Sequence, residues 1–330
     1  MPPKKSSKAT KAEPEKPKDR NGDAPPTTHG AADPVDEDEP SKDTKPGSKR
    51  KKDSKAQSEP NKEPRRSGRG AAKSQPSPSQ LLQFLLSPEA INLCRPDDEV
   101  KDLESRGKDT RTYSSSVLNP FEELLCAIIL SRPISHMLGL RTIRTVLNDP
   151  YNFSSPEAVQ KAGQEKWHQA VWDAHTQHKA KTAEQIGLVA DVVAEKFSPG
   201  GPSDSSLEGV RKQGDHDYDK ERALLQDNIK GVGKTGLDIF FRRVQWLWAK
   251  SFPFVDERTA KGLEKLGLPS EADNLVKLIG EDWEKLKKLD IAGKDEEERK
   301  RRAFVVVLER VIGADLEKKG DTVAEEAAKL

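Results

Sequence analysis

Residues 229–259 read IKGVGKTGLDIFFRRVQWLWAKSFPFVDERT, and this stretch constrains the chain more than any other. Before Gly231, the segment ERALLQDNI reads as a helix with Ala223, Leu224 and Leu225 toward its buried side. After Gly233, Leu237, Phe240, Phe241, Val244, Leu247 and Trp248 recur at helical spacing. Two helices therefore meet at Gly231-Val232-Gly233. Glycine suits such a corner because it takes positive φ without steric cost and lets another backbone come close. The amides that open the second helix have no partners within it. Their free N–H groups and the helix dipole suit a phosphate. A helix-hairpin-helix of this kind holds nucleic-acid backbone without reading sequence. Gly231, Val232, Gly233, Lys234, Thr235 and Lys230 are the candidate DNA-binding residues.

The residues GVGKTG also invite a nucleotide-binding reading. A phosphate-cradling loop needs a glycine five residues before the GK[ST] glycine and a preceding strand. Asn228 stands at that position, and the preceding pattern is helical. A purely structural helix–turn–helix corner is the plainer alternative. One helix later, PFVDERTAKGLEKLGLP sets Asp256 just before a short amphipathic helix carrying Leu263 and Leu266. Aspartate there is a preferred N-cap. Upstream, NPFEELLCAIIL at 119–130 has Asn119 as cap, Pro120 at the first helical position and Glu122 placed for a capping box.

Hairpin, aspartate and PFE helix, in this order, resemble the helix-hairpin-helix DNA glycosylase superfamily, the group that includes endonuclease III. The resemblance covers roughly residues 115–316. It implies an all-α, two-lobed domain with DNA in the cleft between the lobes, and it assigns Asp256 as the catalytic carboxylate. Cleavage of an N-glycosidic bond builds positive charge on the sugar, which a carboxylate stabilises. The base must first leave the stack. The helix that ends in SAQ in endonuclease III-like sequences here gives Ser131, Arg132 and Pro133, so Arg132 is the candidate wedge. Members that also cut the strand use a lysine two residues after the second hairpin glycine as a Schiff-base nucleophile. Thr235 stands there, with Lys234 one residue early and turned by about 100° around the helix. The expectation is a monofunctional glycosylase acting as a monomer on double-stranded DNA with a damaged or mismatched base. The alternatives are a non-catalytic DNA-binding protein that keeps the hairpin, or a bifunctional glycosylase and lyase.

The chain divides by composition. Residues 1–78 have almost no aliphatic side chains, and such a segment buries too little apolar surface to offset its ordering entropy. The first 80 residues carry 19 Lys/Arg against 13 Asp/Glu, and the remainder 38 against 43. A disordered basic tail thus precedes an acidic domain, which would need locally clustered basic residues to bind DNA. Lys230, Lys234, Arg242 and Arg243 are the candidates near the hairpin. Within the tail, Lys49, Arg50, Lys51 and Lys52 read as a nuclear import signal or nucleic-acid patch. Residues 64–70 loosely resemble an AT-hook, and 36–39 form an acidic block. A nuclear protein is expected, with no stretch apolar enough for a membrane span and no apolar core of a secretory signal.

Residues 79–317 form the expected domain, with helices over 136–148, 156–162, 164–176, 178–197, 219–229, 234–250, 257–266, 271–279, 281–289 and 295–316. Residues 95–116 and 199–219 read as loops, and 318–330 as a charged tail. Phe153, Trp167, Val171, Trp172, Ile186, Val189 and Val193 look like core. No metal or cofactor is expected. Cys94 and Cys126 are too few for a disulfide framework or zinc site, and no cysteine follows Cys126 to hold an iron–sulfur cluster. His168, His175 and His178 would share a face only on an unbroken helix.

Overall fold

The computed structural model describes residues 75–107 and 109–330. The expectations for the N-terminal tail, including Lys49–Lys52, the AT-hook-like segment and the acidic block, lie outside the described residues. Among these residues every regular element is helical and none is a strand.

Helix α1, Pro78–Leu86, opens on a capping box in which Ser77 and Gln80 satisfy each other's backbone amides. A 3₁₀ turn at Pro88–Leu93 leads to α2, Asp97–Arg106. This helix occupies the segment expected to be a loop. Its fully buried Glu99 and its Asp98 and Asp102 all hold Arg144 of α4, His136–Leu147. Charged pairing across helices, rather than an apolar stripe, fixes α2, so hydrophobic periodicity does not reveal it.

Helix α3, Pro120–Leu130, starts on the expected Asn119–Glu122 capping box. Helix α5, Pro156–Asp173, breaks at Gly163, where φ is 74°. It pairs with α6, Lys179–Val192, which ends in a single π-helical turn. The hairpin helices follow as α8, Tyr218–Asn228, and α9, Lys234–Val244. Phe121, Phe153, Ile186, Phe240 and Phe241 lie in one apolar core built from α3–α6, α8 and α9. The expected surface loop 199–219 contributes to it: α7, Glu208–Gln213, buries Val210, and Leu207 before it is also buried. Trp172 does not belong to that core; it is 58% exposed, with Lys179 stacked over its ring.

A second core joins the two ends of the described chain. Helix α1 packs on the single turn α12, Trp283–Leu286, and on α13, Glu296–Leu316, and α13 in turn carries α10, Glu257–Leu266, and α11, Ala272–Glu281. The expected charged tail contains α14, Gly320–Ala327, whose buried Val323 and Ala327 complete this core. Helix α9 ends at Val244 rather than near 250, and the chain then turns. Trp246 enters the second core and Trp248 the first, so this turn links them. The Gln245 side chain fixes the turn by bonding both the amide and the carbonyl of Phe254.

Candidate nucleic-acid and catalytic site

The GVG corner forms as a tight turn between α8 and α9. The Ile229 carbonyl accepts from the Val232 amide at 3.1 Å, and Val232 is the one buried residue of the triplet. Gly231 has φ 87°, and a Cβ there would lie 2.7 Å from Gln185 Oε1. Gln185 in turn donates to the Lys230 carbonyl, fastening the corner to α6. Gly233 differs from the sequence expectation. Its φ is −111°, and an added Cβ would meet nothing within 4 Å. It is an N-cap without a side-chain acceptor, so the opening amides of α9 have no cap. Lys230, Gly231, Gly233, Lys234 and Thr235 are exposed around them.

Arg242 and Arg243 do not belong to that exposed face. They project from the far end of α9 into the interior, where Arg243 grips Glu123 of α3 with two bonds of 2.8 and 2.9 Å. Arg242 donates to Asp256 at 2.8 Å and to Glu309 of α13 at 2.6 Å. A run of basic residues on a helix reads as a solvated face until buried carboxylates from other elements are known.

Asp256 is the N-cap of α10. Its Oδ1 accepts from the Arg258 and Thr259 amides, each at 3.1 Å, and its Oδ2 from Arg242 and from the Thr259 hydroxyl at 2.6 Å. Burial pushes the carboxyl pKa up, but Arg242 and the Thr259 donors outweigh it and hold the group below the ordinary aspartate value. Burial likewise opposes ionisation of Glu309, and Arg242 and Arg243 again prevail. Two ionised carboxylates therefore share the Arg242 guanidinium.

Asp256 and Glu309 both line a cavity of about 470 Å³, within the usual range for a small-ligand site. Its walls include Leu130, Ile134, Ile239 and Ile312, and Lys234 and Thr235 of the hairpin helix border it. Lys234 is thus at the cavity even though it sits one residue from the expected lysine register. Its ammonium bonds Asp238 at 2.9 Å, which raises its pKa and keeps it protonated. Tyr113 and Glu309, absent from the sequence reading, lie at the same cavity; a glutamate within the apolar run of α13 was the available signal for the second.

The remaining candidates lie apart from this set or are already engaged. Arg132 donates to the Lys181 carbonyl at 3.1 Å, tying the α3–α4 connection to α6. His175 and His178 have φ of 51° and 53° in the turn between α5 and α6, so no continuous helix aligns them with His168. Among the described residues no group of histidine, cysteine and carboxylate side chains is arranged to hold a metal, and no helix is long and apolar enough to cross a membrane. Both cysteines are buried free thiols. Comparison with family models, with curated proteins and with solved structures found no match to this chain.

Proposed function

We propose that this protein is a nuclear, monofunctional DNA glycosylase that hydrolyses the N-glycosidic bond of a damaged or mismatched base in duplex DNA, within a two-lobed helix-hairpin-helix fold. The observation that carries this reading is the juxtaposition of an uncapped hairpin helix with a buried carboxylate at one cavity. Lys234 and Thr235 from the start of α9, and Asp256 from the cap of α10, line the same space. In this reading the exposed amides of α9 hold a phosphate, and the everted nucleotide enters the cavity. Asp256 faces C1′ as positive charge develops there. Its hydrogen bonds fix its position, and Arg242 with the Thr259 donors keeps it ionised.

Strand cleavage needs an unprotonated amine. Thr235 has none, and the Asp238 bond disfavours the free base of Lys234. Base removal without lyase activity follows, and borohydride traps no protein–DNA adduct. An adduct that vanishes in Lys234→Ala would make the enzyme bifunctional. A second reading, non-catalytic DNA binding, has its own support: every acceptor position of Asp256 is engaged as a structural cap would be. Incubating full-length protein with duplexes that each carry one lesion, followed by hot alkali, separates the two. Alkali-dependent breaks at one lesion class are expected; intact strands throughout leave only the binding reading.

A further inference from the structure

Hydrolysis asks two things of the cavity: negative charge beside the sugar, and a place for a proton. The attacking water must lose a proton as its oxygen bonds C1′, and Asp256 is poorly suited to take it. Four donors already occupy its oxygens, two amides on Oδ1 and the Arg242 and Thr259 side chains on Oδ2. A carboxylate bonded in this way, and held below the ordinary aspartate pKa, stabilises positive charge but is a weak base.

The other carboxylates lining the cavity are committed as well. Asp238 accepts from Arg222 and Lys234, and the exposed Glu257 pairs with Lys261. Glu309 accepts from Arg242 and from the Tyr113 hydroxyl. Lysine and arginine keep their protons at neutral pH. Burial pushes the Cys94 thiol up to about 12, so it stays protonated too.

His136 differs from all of these. It is the first residue of α4, it lines the same cavity, and only 13% of its side chain is exposed. Its Nδ1 stands 2.7 Å from Oε1 of Glu317, the C-cap of α13. An ionised carboxylate only accepts, so Nδ1 carries the proton, and Nε2 of the neutral ring keeps a lone pair. Among the described residues the imidazole has no second hydrogen bond. The ring is also fixed at its base, since Ser135 caps α4 by accepting from the Leu138 amide. A basic nitrogen oriented by a carboxylate is the arrangement that proton transfer needs.

We infer that His136, held by Glu317, is the proton acceptor for the water that attacks C1′. This role rests on the glycosylase reading. As the water oxygen bonds C1′, one of its protons passes to Nε2. The C1′–N bond breaks, and its electron pair leaves with the base. The imidazolium, beside Glu317, then gives the proton to a nitrogen of the departing base. One water is consumed and the ring ends neutral. Asp256 supplies the charge, and His136 moves the proton.

The test is single-turnover base release by full-length protein on the lesion duplex that wild type cleaves best. His136→Gln keeps an N–H for Glu317 but has no basic nitrogen. It melts near wild type and is slower by about a hundred- to ten-thousandfold, the range of a lost general base. His136→Ala is equally slow, and added imidazole restores part of its rate. Glu317→Ala breaks the same α4–α13 tie but keeps the imidazole, so it loses less, and imidazole does not help it. A wild-type rate in His136→Gln, no rescue of His136→Ala, or equal losses in His136→Gln and Glu317→Ala overturns the role. Each of these leaves the glycosylase reading standing as long as wild type excises base. No excision by wild type on any duplex removes that reading and this role together.

Discussion

At the scale of single residues, Asp256 carries two demands. As a cap alone, its replacement by Asn costs at most the ~1 kcal/mol of a lost N-cap. The Arg242 bond raises that figure, since breaking a fully buried pair costs roughly 3–5 kcal/mol. Glu309 still holds Arg242, so Asp256→Asn falls between these limits in denaturant unfolding. The pH dependence has a definite sign. The folded-state pKa of Asp256 lies below its unfolded value of about 3.9, so its contribution is complete above that pH and is lost as pH falls through the folded pKa. The stability gap between wild type and Asp256→Asn is therefore constant from about pH 7 to 5 and closes in stronger acid. A gap that widens on acidification contradicts the pairing. The cap at Asp256 was legible in the sequence, because an aspartate ahead of a short amphipathic helix has few other local uses. Its partner was not. Arg242 looks like part of a DNA-binding face, and the Glu309 that turns it inward lies 67 residues away.

At the scale of elements, the hairpin makes two unlike predictions from two like glycines. Gly231→Val forces a β-branched residue to positive φ and against Gln185, costing about 1–3 kcal/mol and weakening every DNA sequence alike. Gly233→Ser meets open space and adds a capping hydroxyl, so it raises stability by a few tenths of a kcal/mol. If the α9 amides hold a phosphate as proposed, the same hydroxyl competes for them, and DNA affinity falls while the melting temperature rises. Affinity and stability moving together in Gly233→Ser would remove the phosphate role from α9. Sequence spacing located this corner but did not distinguish its glycines, because composition does not report φ. Elements with strong apolar periodicity or caps, such as α3, α9 and α10, were legible. Helix α14 was not, since only Val323 and Ala327 anchor it among charged neighbours. Helix α2 was hidden for a related reason, its anchor being the carboxylates that converge on Arg144.

At the scale of the whole molecule, two apolar cores are tied by charge. Glu309 of α13 reaches Arg242 of α9, whose neighbour Arg243 reaches Glu123 of α3. Glu309→Ala removes one of the two carboxylates on Arg242, which keeps Asp256, so it costs less than the roughly 3–5 kcal/mol of a broken buried pair but is still clearly resolved in denaturant unfolding. The exposed Lys261–Glu257 pair, broken by Lys261→Ala, leaves the unfolding midpoint essentially unchanged, because solvent screens it. Comparable effects from the two would mean that the interior network is not what ties the cores. In the proposed reading the basic tail adds salt-dependent affinity for DNA. A deletion must stop at residue 74, because Ser77 caps α1. It lowers the salt slope of DNA binding by about 0.9 for each phosphate that the tail no longer neutralises, and base removal from short duplexes survives. Whether Asp256 does chemistry at the cavity is decided by single-turnover base release by wild type and Asp256→Asn, on the duplex wild type cleaves best and well below either melting temperature. A rate lower by roughly a hundred- to a thousandfold is expected in the variant, with DNA binding retained; equal rates would leave Asp256 a cap and assign the chemistry elsewhere.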